Sequence, residues 1–172
     1  METTIQIIAI GLAILAWIVS FIQLKRSRRQ NNEDIIFQSK IDAYRQIILQ
    51  TYDFLQKSYF ILDELTDFKG DKNEWTEKKM PELFRQLNPL IDKMDSDFIG
   101  HVMFLPDDFI KKYNEFSFKC QRLLVEHYHF DNETSITTYM TLTEMHNDLI
   151  NEVRRDLHID LLNEKLKYRL QK

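Results

Sequence analysis

The chain has 172 residues, of which 44% are hydrophobic, and a formal net charge of −4. That length accommodates one modest domain beside a membrane segment. Three glycines and three prolines are too few for a fold with many tight turns, and the single cysteine, Cys120, excludes an intrachain disulfide and a multi-cysteine zinc site. The composition therefore predicts an all-α protein with long helices.

The amino-terminal segment predicts a transmembrane anchor, residues 1–24. Ile5 to Leu24 is a run of 20 residues without a charge, and at about 1.5 Å per residue it spans a hydrocarbon core. Glu2 in place of a basic start, and the length of the run, argue against a cleaved signal peptide. A basic boundary follows directly: Lys25, Arg26, Arg28 and Arg29. Such a cluster holds its end in the cytosol, which places the Met1 to Thr4 tail outside and predicts a single-pass bacterial inner-membrane protein.

Small and amide side chains within this run recur at alternating steps of three and four. We call these positions the seam: Gln6, Ala9, Ala13, Ala16, Ser20 and Gln23. Small residues permit close approach of helices in lipid, and amides there need partners, so the seam predicts contact with another helix. Two interpretations remain open. In the first, identical helices pack tightly along the seam and conduct nothing. In the second, four or more copies surround a narrow path lined by the seam.

The rest of the chain predicts a basic juxtamembrane linker, residues 25–32, and a cytosolic helical bundle, residues 33–172. A polar break is expected at 30–32, followed by a helix from Glu33 to Phe68. The apolar surface of this helix is wider than contact with one neighbouring helix requires. Gly70 suits a helix C-cap. The second helix, to about Phe98, is expected to restart at Pro81 or to kink near Pro89.

The carboxyl-terminal half predicts two further helices. Residues 99–105 are expected to form a buried link or a short strand. Pro106 opens a helix to about Tyr128. The last helix is expected from about Ser135 to the end, with a break near His158. The inward positions predicted for these two helices are Phe109, Tyr113, Phe116, Cys120, Leu123, Leu124, Met140, Met145, Leu149, Val153, Leu157, Leu161, Leu166 and Leu170.

No motif predicts catalysis, a cofactor or a metal. The glycines are scattered, and His127 and His129 stand two apart, which is a poor spacing for chelation on a helix. Without Glu2 and the basic boundary, 19 Lys and Arg face 26 Asp and Glu, a net charge of −7 that disfavours duplex DNA. Local basic groups remain, for which a solvated helix surface is the simpler explanation. The group predicted as possible contacts for a nucleotide or short oligonucleotide is Lys111, Lys112, Lys119 and Arg122.

In layout the chain resembles the small single-span membrane effectors of bacterial anti-phage defence, of the Hailong type. The resemblance lies in one amino-terminal span, a basic boundary such as Lys25 to Arg29, and a compact helical cytosolic domain. It implies a tetrameric channel that kills or arrests the infected cell in response to a nucleic-acid-type signal. The net negative charge of the cytosolic part is a departure from this pattern, because it disfavours extended contact with an oligonucleotide.

Three functions are therefore weighed from the sequence. The leading hypothesis is a homo-oligomeric, ligand-gated membrane effector that is not an enzyme. The alternative is a membrane-tethered adaptor or scaffold whose apolar helix faces recruit a cytosolic partner. A membrane enzyme is the third.

Overall fold

The computed structural model describes the backbone of residues 2–161 and 163, and the side chains of residues 19–161 and 163. Most of this part of the chain is helical and none of it forms a strand, which confirms the all-α prediction. Contacts between residues divide the chain into two units, 1–41 and 42–172. No helix in the described part is long and apolar enough to cross a membrane. Residues 5–18 of the predicted span lie outside the described side chains.

Helix α1 extends over Glu2–Asp67, so the predicted polar break at 30–32 is wrong. The sequence Gln30-Asn31-Asn32 contains neither glycine nor proline, and polar side chains alone do not end a helix. An ion pair within the helix crosses this stretch, with Arg29 Nε 2.8 Å from Glu33 Oε1. Both side chains are exposed, so water and salt screen the pair and it contributes little to helix stability.

The turn after α1 is stabilised by aromatic packing. Gly70 lies in this turn, but not in the left-handed conformation typical of a C-cap glycine. The ring of Phe68 packs at 5.1 Å from Trp75 and 5.9 Å from Phe130, measured between ring centroids. Gly70 does not adopt a positive φ. A Cβ on Gly70 would lie 2.5 Å from Phe68 Cζ, so glycine is needed here to make room for the ring.

The second predicted helix is divided. A short helix α2, Lys72–Glu74, is capped by Asp71, and a π-helical turn, Trp75–Lys79, follows. Helix α3 then begins at Met80 and ends at His101, with Pro81 in its first turn as predicted. Proline is tolerated there because that position has no helical N–H bond to lose. Pro89 lies inside α3 without ending it.

A 3-10 turn, Val102–Phe104, leads into helix α4, Asp107–Tyr128, and helix α5, Asn132–Asp156. The prediction of a buried link over 99–105 is wrong for Ile99, Val102 and Met103, which are exposed. The break near His158 is confirmed, since α5 ends at Asp156 and His158 has a φ of 51°.

The core of the second unit lies among α1, α3, α4 and α5. All six inward positions predicted for α4 are buried, and so is Leu149 of α5. Met145, Val153 and Leu157 are partly buried against the core. Met140 and Leu161 are exposed, contrary to prediction, and Leu166 and Leu170 lie outside the described residues. Helix α5 pairs antiparallel with α1, because Thr66 bonds Asn132 near one end and Tyr44 bonds Asp156 near the other.

Candidate functional site

Side-chain hydrogen bonds and ion pairs, one of them to the buried carboxylate of Glu152, surround residues 44–50 of α1, which lie at the start of the second unit. We call this group the polar cluster. It consists of Tyr44, Gln46, Gln50, Asp97, His101, Lys112, Glu152, Arg155 and Asp156. Helix α1 supplies the first three residues, α3 the next two, α4 the lysine and α5 the last three.

One half of the polar cluster joins α1 to the carboxyl end of α3. His101 Nε2 donates a hydrogen bond to Gln46 Oε1 at 3.0 Å. The amides of Gln46 and Gln50 both donate to the carboxylate of Asp97. The bond from Gln46 is the largest cause that lowers the pKa of Asp97 below its usual value, because a hydrogen-bonded carboxylate favours its charged form.

The other half joins α1, α4 and α5. Tyr44 Oη donates to Asp156 Oδ2 at 2.7 Å, and the Tyr44 ring packs edge-on against Phe109 at 4.9 Å. Burial, reinforced by Asp156, raises the pKa of Tyr44 well above its usual value, so this phenol stays protonated and keeps its hydrogen bond.

Glu152 is the centre of that half. Its side chain is only 4% exposed, and Lys112 Nζ lies 2.7 Å from its Oε2. Arg155 pairs with the second oxygen of the same carboxylate and lies 3.7 Å from Asp108. A buried carboxylate needs such partners, and the loss of one destabilises the fold. The bonds of the polar cluster are directional and depend on charge, so an anion that competes for Lys112 or Arg155 would weaken them.

All four predicted anion contacts lie on α4, and two of them are paired with carboxylates. Lys112 is bound to Glu152, and Arg122 Nε lies 2.8 Å from Glu126 Oε1. Lys111 is exposed and Lys119 is partly buried. Two of the four charges are therefore already compensated by carboxylates.

The seam and the basic boundary fall within α1. The side chains of Gln6, Ala9, Ala13 and Ala16 lie outside the described residues, whereas those of Ser20 and Gln23 are exposed. Lys25, Arg26, Arg28 and Arg29 are exposed as well. The role of these ten residues stays a prediction.

Most residues of the polar cluster were not predicted from the sequence. A signal was present at Glu152, because it stands three residues after the buried Leu149, at a spacing that places a charge on the inward side of α5. A charge at such a position predicts a buried ion pair. Nothing in the sequence indicated that Asp97 or His101 would form hydrogen bonds with side chains of α1.

Two buried histidines lie away from the polar cluster. His146 Nδ1 lies 3.0 Å from Thr51 Oγ1, and burial lowers its pKa. His127 is 0% exposed, and neither ring nitrogen has a hydrogen-bond partner among the described residues. Burial lowers the pKa of His127 to about 4, so it is neutral near pH 7. Within the described part of the chain, no group of three or more His, Cys, Asp or Glu is arranged to hold a metal ion.

No protein-family model matches the chain, and no curated protein or solved structure is similar enough to count as a match. Relatives therefore supply no site residue. The resemblance in layout to Hailong-type effectors stays a prediction.

Proposed function

We propose that the chain is a homo-oligomeric single-span membrane effector, gated by an anionic ligand at its helical domain. The observation that carries this proposal is the order of features in the sequence of α1. An uncharged run of 20 residues bears the seam, a basic boundary follows, and the polar cluster begins at Tyr44. In this proposal the run is the membrane anchor in the bacterial inner membrane, and the seam faces identical helices.

The gating step proceeds through the bonds of the polar cluster. A nucleotide or short oligonucleotide phosphate competes with Glu152 and Asp108 for Lys112 and Arg155. The charge of Glu152, which acts on Tyr44, is then left without its partners beside the hydrogen bond from Tyr44 to Asp156. That bond of α1 weakens, and α1 shifts so that the path between the seams opens or closes. The proposal assigns the chain no catalytic role and no cofactor.

A second surface supports self-association. Leu49, Tyr52, Tyr59 and Phe60 of α1 are each about half exposed, and Tyr59 packs at 6.0 Å from the ring of Tyr139 on α5. We call this the α1–α5 face. Exposed aromatic side chains grouped on one surface are typical of protein interfaces. In a tetramer, a neighbouring copy covers the α1–α5 face.

The experiment that tests the proposal adds bulk to the seam. Ala13→Ile and Ser20→Leu are expected to abolish current through reconstituted bilayers and toxicity on overexpression, because a branched side chain fills a narrow path. Gly11→Ile is the matched control, since helical periodicity places its added bulk on the side opposite the seam, and it is expected to keep both activities. Unchanged current in both seam variants would show that the seam does not line a path.

The subunit number is the second test. The full chain in detergent is expected to be a tetramer by mass measurement, and Phe60→Glu on the α1–α5 face is expected to reduce that number. A strictly monomeric chain contradicts the proposal.

The α1–α5 face also favours the second candidate, a membrane-tethered adaptor. In that case the face recruits a different protein of the cytosol, and the anchor only holds the chain at the bilayer. A pull-down that recovers one stoichiometric partner, lost in Phe60→Glu, together with no current in bilayers, would support the adaptor and reject the channel.

A further inference from the structure

Helices α3 and α4 leave a shallow groove of about 330 Å³ open between them, on a surface that the polar cluster does not use. Ile99 of α3 and Phe118 of α4 line it and are 70% and 69% exposed. Val125 stands two helical turns after Phe118, on the same side of α4, and is 54% exposed. Large apolar side chains this open to water and grouped on one surface are typical of an interaction site.

The shape of this surface suits a helix. An adjoining concave surface shares Asn114 and Phe118 with the groove and extends it along α4 to Ile110. From Ile110 to Val125 the surface is about 22 Å long, which is the length of about four helical turns. The groove between two packed helices accepts the ridge of side chains on a third helix, so a partner helix can lie along α4.

The charged side chains that line this surface are mostly acidic. Asp95 lies on its α3 side, where its Oδ1 accepts a hydrogen bond from Ser117 at 2.9 Å. Asp107, Glu115 and Lys111 border the adjoining part on α4. Three carboxylates against one lysine give these lining residues a net charge of −2.

The other basic side chains of α4 leave this charge in place. Lys112 and Arg122 are each paired with a carboxylate. Lys119 and Ser117 lie on opposite sides of Phe118, each about 100° around the helix axis, and Ser117 is the one that faces α3. Lys119 is therefore on the side of α4 away from the groove.

The negative charge limits what can cover the apolar side chains. A second copy that presented the same surface would bring like charges together. Nucleic acid and anionic lipid would be repelled for the same reason. An amphipathic helix with Lys or Arg along its edges is complementary in both respects, since it supplies apolar side chains for the groove and positive charge for its borders.

We propose that the α3–α4 groove is the docking site for a basic amphipathic helix of a different protein. The apolar side of that helix packs against Ile99, Phe118 and Val125, and its basic side chains lie opposite Asp95 and Glu115. The interaction goes beyond the proposed channel and does not depend on it, because the whole groove belongs to the second unit. It also uses a surface other than the α1–α5 face.

Two synthetic peptides test the proposal by fluorescence anisotropy. Both are labelled, alanine-rich helices of about 15 residues with leucines along one side. The basic peptide carries lysine at both edges of the leucine side, and the acidic peptide carries glutamate there. The full chain is presented in nanodiscs of zwitterionic lipid, and empty nanodiscs measure binding to the bilayer. The basic peptide is expected to bind the chain, with an affinity roughly tenfold or more above that of the acidic peptide.

Substitutions in the chain separate docking in the groove from general attraction. Phe118→Ser is expected to weaken binding of the basic peptide roughly tenfold, because it removes the central apolar contact. Glu115→Lys together with Asp107→Asn changes the net charge of the lining residues from −2 to +1, and is expected to reverse the preference in favour of the acidic peptide. Phe60→Ser is the matched control, since Phe60 is 59% exposed on the α1–α5 face, and is expected to leave binding unchanged.

Three results would overturn the proposal. One is the absence of binding by either peptide. Another is a basic-peptide affinity that Phe118→Ser leaves unaltered, or a preference for that peptide that survives the charge reversal. The third is a covalent dimer of Phe118→Cys in a Cys120→Ala background after treatment with a short bismaleimide, which would assign the groove to a second copy. Because no current is measured, failure of the channel proposal leaves these results unaffected.

Discussion

A core histidine whose ring nitrogens have no hydrogen-bond partner among the described residues makes the stability of the bundle depend on pH. His127 has a pKa of about 4 in the folded chain, against an ordinary value of about 6.5 in an unfolded one. Between these values the folded chain binds fewer protons than the unfolded chain. The free energy of unfolding therefore falls as the pH decreases from about 6.5 to about 4. The full difference corresponds to about 3 kcal/mol, of which about 2 kcal/mol is already lost at pH 5.

Replacing this histidine with leucine is expected to remove that loss. His127→Leu fills a similar volume without a titrating group, and it also removes two buried nitrogens that lack partners among the described residues. At pH 7 the substitution is expected to leave stability unchanged or to raise it by about 1–2 kcal/mol, since a buried polar group without a hydrogen bond is costly. The backbone carbonyl of residue 127 continues to accept the bond from Trp75 Nε1.

The assay is urea unfolding of the full chain in detergent at pH 7.0, 6.0 and 5.0. Emission of Trp75 reports on the bundle, in a Trp17→Phe background that leaves it as the single tryptophan. The control is His129→Gln, two residues away and exposed, which is expected to keep the native dependence on pH. His146 accounts for part of the remaining slope, because burial lowers its pKa as well. If His127→Leu lost as much stability as the native chain between pH 7 and pH 5, the reasoning would be refuted.

Three further substitutions test the contacts of the bundle, each by chemical unfolding at pH 7. Tyr44→Phe removes the hydrogen bond to Asp156 and is expected to lower the free energy of unfolding by about 2 kcal/mol; a change below about 0.5 kcal/mol would mean that water replaces the bond. Lys112→Met leaves Glu152 with one basic partner and is expected to cost about 2 kcal/mol; Lys112→Arg, as the control, should recover most of it. Trp75→Phe is expected to cost about 2 kcal/mol, from the lost indole bond and a smaller ring in the core, and equal stability to the native chain would contradict full burial.

The sequence by itself determined the helical class and most of the helix ends. Few glycines and prolines, and apolar side chains spaced by three and four, left no other regular structure open to the chain. The inward residues of α4 were predicted because that helix has a narrow apolar stripe. The break near His158 was predicted as well.

Predictions from the sequence were wrong where a local pattern suggested one structure and the folded chain adopted another. Polar residues at 30–32 suggested a break, yet they lack a residue that disfavours helix, so α1 continues. Met140 follows the inward spacing of α5 but is exposed. Ile99, Val102 and Met103 suggested a buried link because hydrophobic composition reports what a residue prefers, and not which neighbour is present to cover it.

Only the tertiary structure decided the site. The polar cluster joins residues far apart in the chain: Tyr44 with Asp156, Gln50 with Asp97, and Lys112 with Glu152. Such pairs depend on how four helices are placed around one core, and periodicity along a single helix does not contain that information. The same packing paired Lys112 and Arg122 with carboxylates, which a count of charges in the sequence does not show. Helical spacing is a local property that a sequence reports directly, whereas the choice of charged partners follows from the folding of the whole bundle.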